Sequence, residues 1–124
     1  MALVIITPKP RELLDAIKRA IDDKKIDTWS YDAEGDFTHT PEQFVKKAWL
    51  RPVVSSGVLQ FGLVGQKGVA MKLFLYGIYH GRFIEMLLNH FDNKFSTISS
   101  LVFIRFSRHF IHLSLIIVLK QCKV

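Results

Sequence analysis

Val69–Phe91, VAMKLFLYGIYHGRFIEMLLNHF, is the longest stretch of the chain that reads as one helix, and it sets what the remaining segments have to cover. At about 100° per residue, Leu73, Tyr76, His80, Phe83, Ile84, Leu87 and Phe91 share one face, while Arg82, Glu85 and Asn89 share another. One histidine therefore points with the apolar set. Gly77 and Gly81 form a third stripe beside Phe74 and Leu88. Each glycine costs a helix interior roughly 1 kcal/mol against alanine, which predicts that a strand or another backbone packs close against them.

The segments before this helix supply a sheet and a second helix. Ala2–Ile6 is a short apolar run, read either as a strand or as a lead-in without structure. Pro10 suits a first helical position, where its missing N–H costs nothing. From there Leu13, Leu14, Ile17, Ala20 and Ile21 keep a 3.6-residue period to about Lys24. Thr28–Asp32 alternates, with Trp29 and Tyr31 on one side, and Gly35 lets the chain turn back through Phe37–Thr40 as a hairpin. Thr40, Pro41 and Gln43 read as the cap, the first residue and the capping-box partner of a short helix to about Lys46. A second hairpin follows, its runs 48–54 and 58–64 flanking Ser55-Ser56-Gly57, with Pro52 pushing the first run toward an edge or a bulge. The expected fold is α+β and two-layered: a four-stranded antiparallel sheet of two hairpins, packed by the N-terminal helix and the longer C-terminal one. That domain is expected over residues 1–95.

Residues 96–124 read differently, as an apolar, basic C-terminal tail. From Asn93 onward there is no Asp, Glu, Gly, Ala, Pro, Met, Trp or Tyr. Arg105, Arg108, His109 and His112 would form a polar stripe on a helix. A transmembrane span over 101–119 is the weakest reading, because two arginines in its first half cost roughly 2.5 to 3.5 kcal/mol each at the bilayer centre. An amphipathic helix lying on a membrane surface or a partner fits the stripe better, and a non-native extension, as from a shifted frame, fits the loss of whole residue classes.

The net charge of +6 prompts a nucleic-acid hypothesis, and its placement weighs against one. All eleven acidic residues and twelve of the seventeen basic ones lie in residues 1–92, which are therefore nearly neutral. A phosphate backbone has no electrostatic reason to bind there. Cys122 is the only cysteine, so no intrachain disulfide or cysteine metal cluster forms, in keeping with a reducing, cytoplasmic setting. The start of the chain shows no basic region and cleavage pattern of a signal peptide.

Candidate chemistry is sparse. His80 with Tyr76 one turn earlier, and His39 from the sheet, would make a general-base pocket; a buried histidine satisfied by a hydroxyl or a carbonyl is the plainer reading. Arg82, Glu85 and Asn89 would hold an anionic ligand or a partner's charged group, against the commoner alternative of an exposed helix ion pair. Trp29 and Tyr31, with Phe37 and Trp49, would stack a flat ligand or else form core. None of the five histidines falls in a recognised zinc pattern, and nothing calls for a cofactor. The loop from Gly62 to Gly68 lacks the phosphate-loop spacing. Asp32, Glu34 and Asp36 lack the calcium-loop pattern.

The segments DTWSYDAEGDFTHTPEQF, KAWLRP and YGIYHGRFIEMLLNHF resemble those of small, uncharacterised bacterial proteins with no assigned activity, over residues 13–98. The resemblance implies no site residue. The functional expectation is a small, non-enzymatic binding or protein-interaction module, able to self-associate. A small enzyme centred on His80 and membrane-surface association through the tail are the alternatives.

Overall fold

The structure, a computed structural model, describes residues 1–102 and 122–123. It is α+β, with an open antiparallel sheet and two helices, but the sheet has six strands where four were expected. In chain order these are β1 (Ala2–Ile6), α1 (Pro10–Asp22), β2 (Trp29–Tyr31), β3 (Phe37–His39), β4 (Ala48–Ser55), β5 (Val58–Gln66), α2 (Leu73–Phe91) and β6 (Thr97–Leu101). The sheet order is β2-β3-β4-β5-β1-β6. A two-residue strand, β7 (Cys122–Lys123), runs parallel to the end of β5.

Both extra strands come from pairing that is distant in sequence. β1 lies between β5 and β6, with Leu3 opposite Phe61 on one side and Ser100 on the other. Its alternate residues Leu3 and Ile5 are fully buried on the core face, while Val4 is part-buried and Ile6 exposed on the other. β6 falls past residue 95, where the composition already resembles the tail. Ser96 N–H donates to the Ile6 carbonyl, and the Thr7 hydroxyl donates to the Lys94 carbonyl at 2.7 Å, so the chain enters β6 tied to the end of β1.

One face of the sheet carries both helices. Alternate residues of each strand, Leu3 and Ile5, Phe37, Leu50, and Leu59, Phe61 and Leu63, join Leu13, Leu14 and Ile17 of α1 and Tyr79, Phe83 and Leu87 of α2 in a single core. The strand registers put these residues opposite one another, Leu3 with Phe61, Leu50 with Leu63 and Phe37 with Leu50. Phe83 is the centre of an aromatic cluster, edge-on to Trp29 at 4.9 Å and to Phe61 at 4.6 Å. Edge-to-face packing sets the positive ring rim on the negative ring face. β3 meets β4 only at Phe37–Leu50, so β4 is an edge at Pro52, where a missing N–H breaks no ladder on that side.

Two local expectations are corrected. The stripe of Gly77 and Gly81 is exposed, and among the described residues a Cβ at either position would meet nothing within 4 Å. No backbone of the described residues packs there; Phe74 and Leu88 beside it are more than half and half exposed, and Leu73, expected on the buried face, is exposed. The short helix expected over 41–46 is a series of turns closed by Phe44 N–H and Val45 N–H to the Pro41 carbonyl, ending at Lys46 with φ of 57°. The Thr40 hydroxyl donates to the Asp27 carbonyl at 2.9 Å instead of accepting from the next turn, so the capping geometry never forms.

The turn between β2 and β3 is fixed by an ion pair. Asp36 is 1% exposed, and the Arg51 guanidinium grips it bidentately, Nε at 3.0 Å and NH2 at 2.8 Å. Its neighbour Asp32 accepts from the N–H groups of Glu34 and Asp36. Removing one partner of such a pair strands a buried charge or its hydrogen-bonding groups. Arg51→Ala, which leaves the buried Asp36 carboxylate without its guanidinium, is expected to cost about 3 kcal/mol by urea denaturation, and Arg51→Lys less, since it keeps the charge and loses the fork. A loss below about 1 kcal/mol for Arg51→Ala would show the pair to be an ordinary surface contact.

Candidate functional site

The buried arc of α2 decides which side chains meet. Tyr79, His80, Phe83, Met86, Leu87 and Phe91 are buried, an arc centred closer to Tyr79 than the apolar face read from sequence. At 100° per residue, Arg82, Met86 and Asn89 fall within about 80° of Tyr79 on one flank, and His80 falls about 100° away on the other. Residues expected to act together are thereby divided between two sides of the helix.

On the first flank α2 faces the start of β2, the end of β3 and the turn after it. The Tyr79 hydroxyl, fully buried, reaches across: it donates to the Phe44 carbonyl at 2.6 Å, accepts from the His39 N–H at 3.3 Å and lies 3.0 Å from the Thr38 hydroxyl. The Thr38 hydroxyl also accepts from Lys46 N–H and lies 3.0 Å from the Ala48 carbonyl. Burial pushes the Tyr79 phenol above its ordinary pKa, so it stays protonated and keeps its donor. Neither Tyr79 nor Phe44 stood out in the sequence. The signal is present as Tyr79-Phe83-Met86 at helical spacing, on a buried arc that shares Phe83 with the apolar face read from sequence and is turned about 40° from it.

Between this flank of α2 and the 41–44 turn lies a cleft of about 420 Å³. Trp29, His39 and Phe44 form its floor, and Arg82, Glu85 and Asn89 its rim. Trp29 is 2% exposed, with the His39 ring 4.6 Å from its own and Tyr79 and Phe83 edge-on, so it supports the floor and offers no open face for stacking. The His39 ring is stacked on Phe44 at 5.7 Å. His39 Nδ1 is 2.8 Å from the Thr28 carbonyl, an acceptor that fixes the proton on Nδ1. Nε2 then carries the lone pair. It has no hydrogen-bond partner among the described residues, and His39 is one of the residues that line the cleft. Burial first, and then the positive charge of Arg82, hold the His39 pKa below its ordinary value against the opposing pull of the Thr28 carbonyl and Glu85. The ring is neutral at pH 7 and acts as an acceptor.

Arg82 and Glu85 meet only loosely, NH1 to Oε2 at 3.4 Å, with both side chains more than half exposed. Such a pair holds its members weakly. Tyr31 lies elsewhere, its hydroxyl donating to both oxygens of Asp22 at 2.7 and 2.8 Å and its ring beneath Lys18 Nζ.

His80 is on the opposite flank, turned toward β6, and three strands of the sheet order separate that edge from His39 in β3. Its Nδ1 is 2.7 Å from the Ser100 hydroxyl, the Tyr76 ring stands edge-on at 4.5 Å, and its Nε2 is buried with no partner among the described residues. His80 does not line that cleft. Burial, with the nearby positive charge of the Met1 amino group, pushes its pKa down to about 4. Among the described residues no three His, Cys, Asp or Glu side chains converge to hold a metal, and no helix is long and apolar enough to cross a membrane. The tail segment proposed for membrane-surface contact lies, past residue 102, outside the described residues.

With that geometry in hand, the class of molecule is an α+β domain with an open antiparallel sheet and a polar-rimmed cleft at one end of its longer helix. No protein-family model, curated protein or solved structure matches the chain.

His80 makes the fold acid-sensitive. The unfolded ring titrates near 6.5 and the folded one near 4. Above pH 6.5 neither state is protonated and the full stability is present. As pH falls through the interval from 6.5 to 4 the unfolded chain takes up a proton that the fold refuses, and stability drops by up to about 3 kcal/mol. His39, also lowered, adds a slope of the same sign. Unfolding free energies measured across that interval are expected to fall with acid, and to fall less steeply in His80→Gln. An unchanged slope in the variant would remove His80 as the source.

Proposed function

We propose that the domain is a non-enzymatic binding module, cytoplasmic, whose ligand seat is the cleft between α2 and the 41–44 turn. One observation carries this reading. His39, which lines a cleft rimmed by exposed, weakly paired charges, spends one ring nitrogen on the Thr28 carbonyl and leaves the other an acceptor with no partner among the described residues. A surface shaped only for packing has no need of an ordered acceptor on a rigid aromatic floor. Pre-formed clefts with an apolar floor and a few oriented polar groups are where small ligands bind. Among the described residues the lining holds no Ser, Cys or Tyr hydroxyl or thiol to act as a nucleophile beside His39, and Glu85 is exposed and loosely paired with Arg82, which favours binding over turnover.

Screening a fragment library by two-dimensional amide NMR on the full chain tests the seat. The expected result is a set of hits whose shifts centre on Thr28, His39, Phe44, Arg82 and Asn89, with Arg82→Ala weakening the acidic hits about tenfold, or about 1.4 kcal/mol. Hits that shift only other surfaces, or no hits at all, would overturn the assignment.

A further inference from the structure

The cleft's charges are balanced, and that balance selects its ligand. Besides Arg82 and Glu85, the lining holds Lys25 and Asp27, so two fixed cations face two fixed anions around one cavity. A polyanion such as a nucleotide would meet repulsion from half of these groups, and a simple cation from the other half. Resting on the binding reading above, we infer that the ligand is a small zwitterion, an α-amino acid or a molecule with the same adjacent carboxylate and ammonium.

Three features fit that class. Arg82 and Glu85 stand one turn apart on α2 and present opposite charges side by side, the spacing that a carboxylate and a neighbouring ammonium would bridge. Their own contact is long at 3.4 Å, and their side chains are 53% and 59% exposed, so exchanging it for ligand contacts gives up little. His39 Nε2, with its proton fixed on the other nitrogen, accepts a hydrogen bond and offers none, which suits an ammonium N–H and disfavours a second carboxylate. Arg82 and Glu85 line the same cleft as His39. The carboxylate is assigned to Arg82, where a guanidinium binds both of its oxygens. The ammonium is assigned between Glu85 and His39 Nε2. Asn89 and Gln43 remain on the lining to meet a polar side chain.

The test uses the full chain and derivatives that delete one charge at a time. Each of the twenty L-amino acids is titrated in turn and followed by the amides of His39, Arg82 and Glu85. The tightest binder is then compared with its N-acetyl form, which lacks the ammonium, and its carboxamide, which lacks the carboxylate. The expected result is that both derivatives bind at least tenfold more weakly than the zwitterion. Arg82→Gln should weaken the zwitterion and the N-acetyl form and spare the carboxamide, and Glu85→Gln should weaken the zwitterion and the carboxamide and spare the N-acetyl form. An N-acetyl form that binds as well as its parent would overturn the inference. So would a cleft that takes neutral or acidic fragments but no amino acid, which leaves the binding reading standing. A cleft that takes nothing at all would end both.

Discussion

The Tyr79 hydroxyl is the contact on which the rest of the structure depends. A buried phenol has to find partners or pay its full desolvation cost, and this one finds them in three residues of another segment, the Phe44 carbonyl, the His39 N–H and the Thr38 hydroxyl. Those bonds set the rotation of α2 about its own axis. Once Tyr79 points at β3, Phe83 must enter the aromatic core, Arg82 and Asn89 must stand over the 41–44 turn, and His80 must turn toward β6. Cleft and buried histidine are two consequences of one placement.

Much of this was legible in the chain. The period of Leu13, Leu14 and Ile17 placed α1, and the alternation through Leu59, Phe61 and Leu63 placed β5 and its buried face. Local turn chemistry at Gly35 and Gly57, both with positive φ, gave both hairpins. What escaped was pairing between residues far apart. Ala2–Ile6 and Thr97–Leu101 carry no turn signal linking them, and nothing near either one says that they lie side by side. Gly77 and Gly81 misled for a different reason: a glycine marks a close approach only when something approaches, and among the described residues nothing does. At Thr40 a better partner, the Asp27 carbonyl, competed with the cap and took the hydroxyl.

The candidate site divides the same way. Arg82, Glu85, Asn89, Trp29 and His39 were singled out on separate grounds, and they line one cleft because the hairpin brings Trp29 opposite His39 and α2 lies over both. His80 and Tyr76 were grouped with His39 because a tyrosine and two histidines suggest acid–base work, yet helical rotation sends them toward β6. Their ring contact is real and faces Ser100. Residue type suggested the right chemistry in both cases, and the angle around α2 decided where it was placed.

Hydrogen exchange of the His39 amide tests the role of Tyr79 most directly. In the native chain that N–H donates to the Tyr79 hydroxyl, and it is expected to exchange only when the whole domain unfolds. In Tyr79→Phe the ring still fills the core but the acceptor is gone, and His39 should exchange through local opening of the 38–46 segment while the Phe61 and Leu63 amides of β5 remain protected. Equal protection of His39 in the two proteins would contradict the claim that this hydroxyl holds α2 to the wall of the cleft.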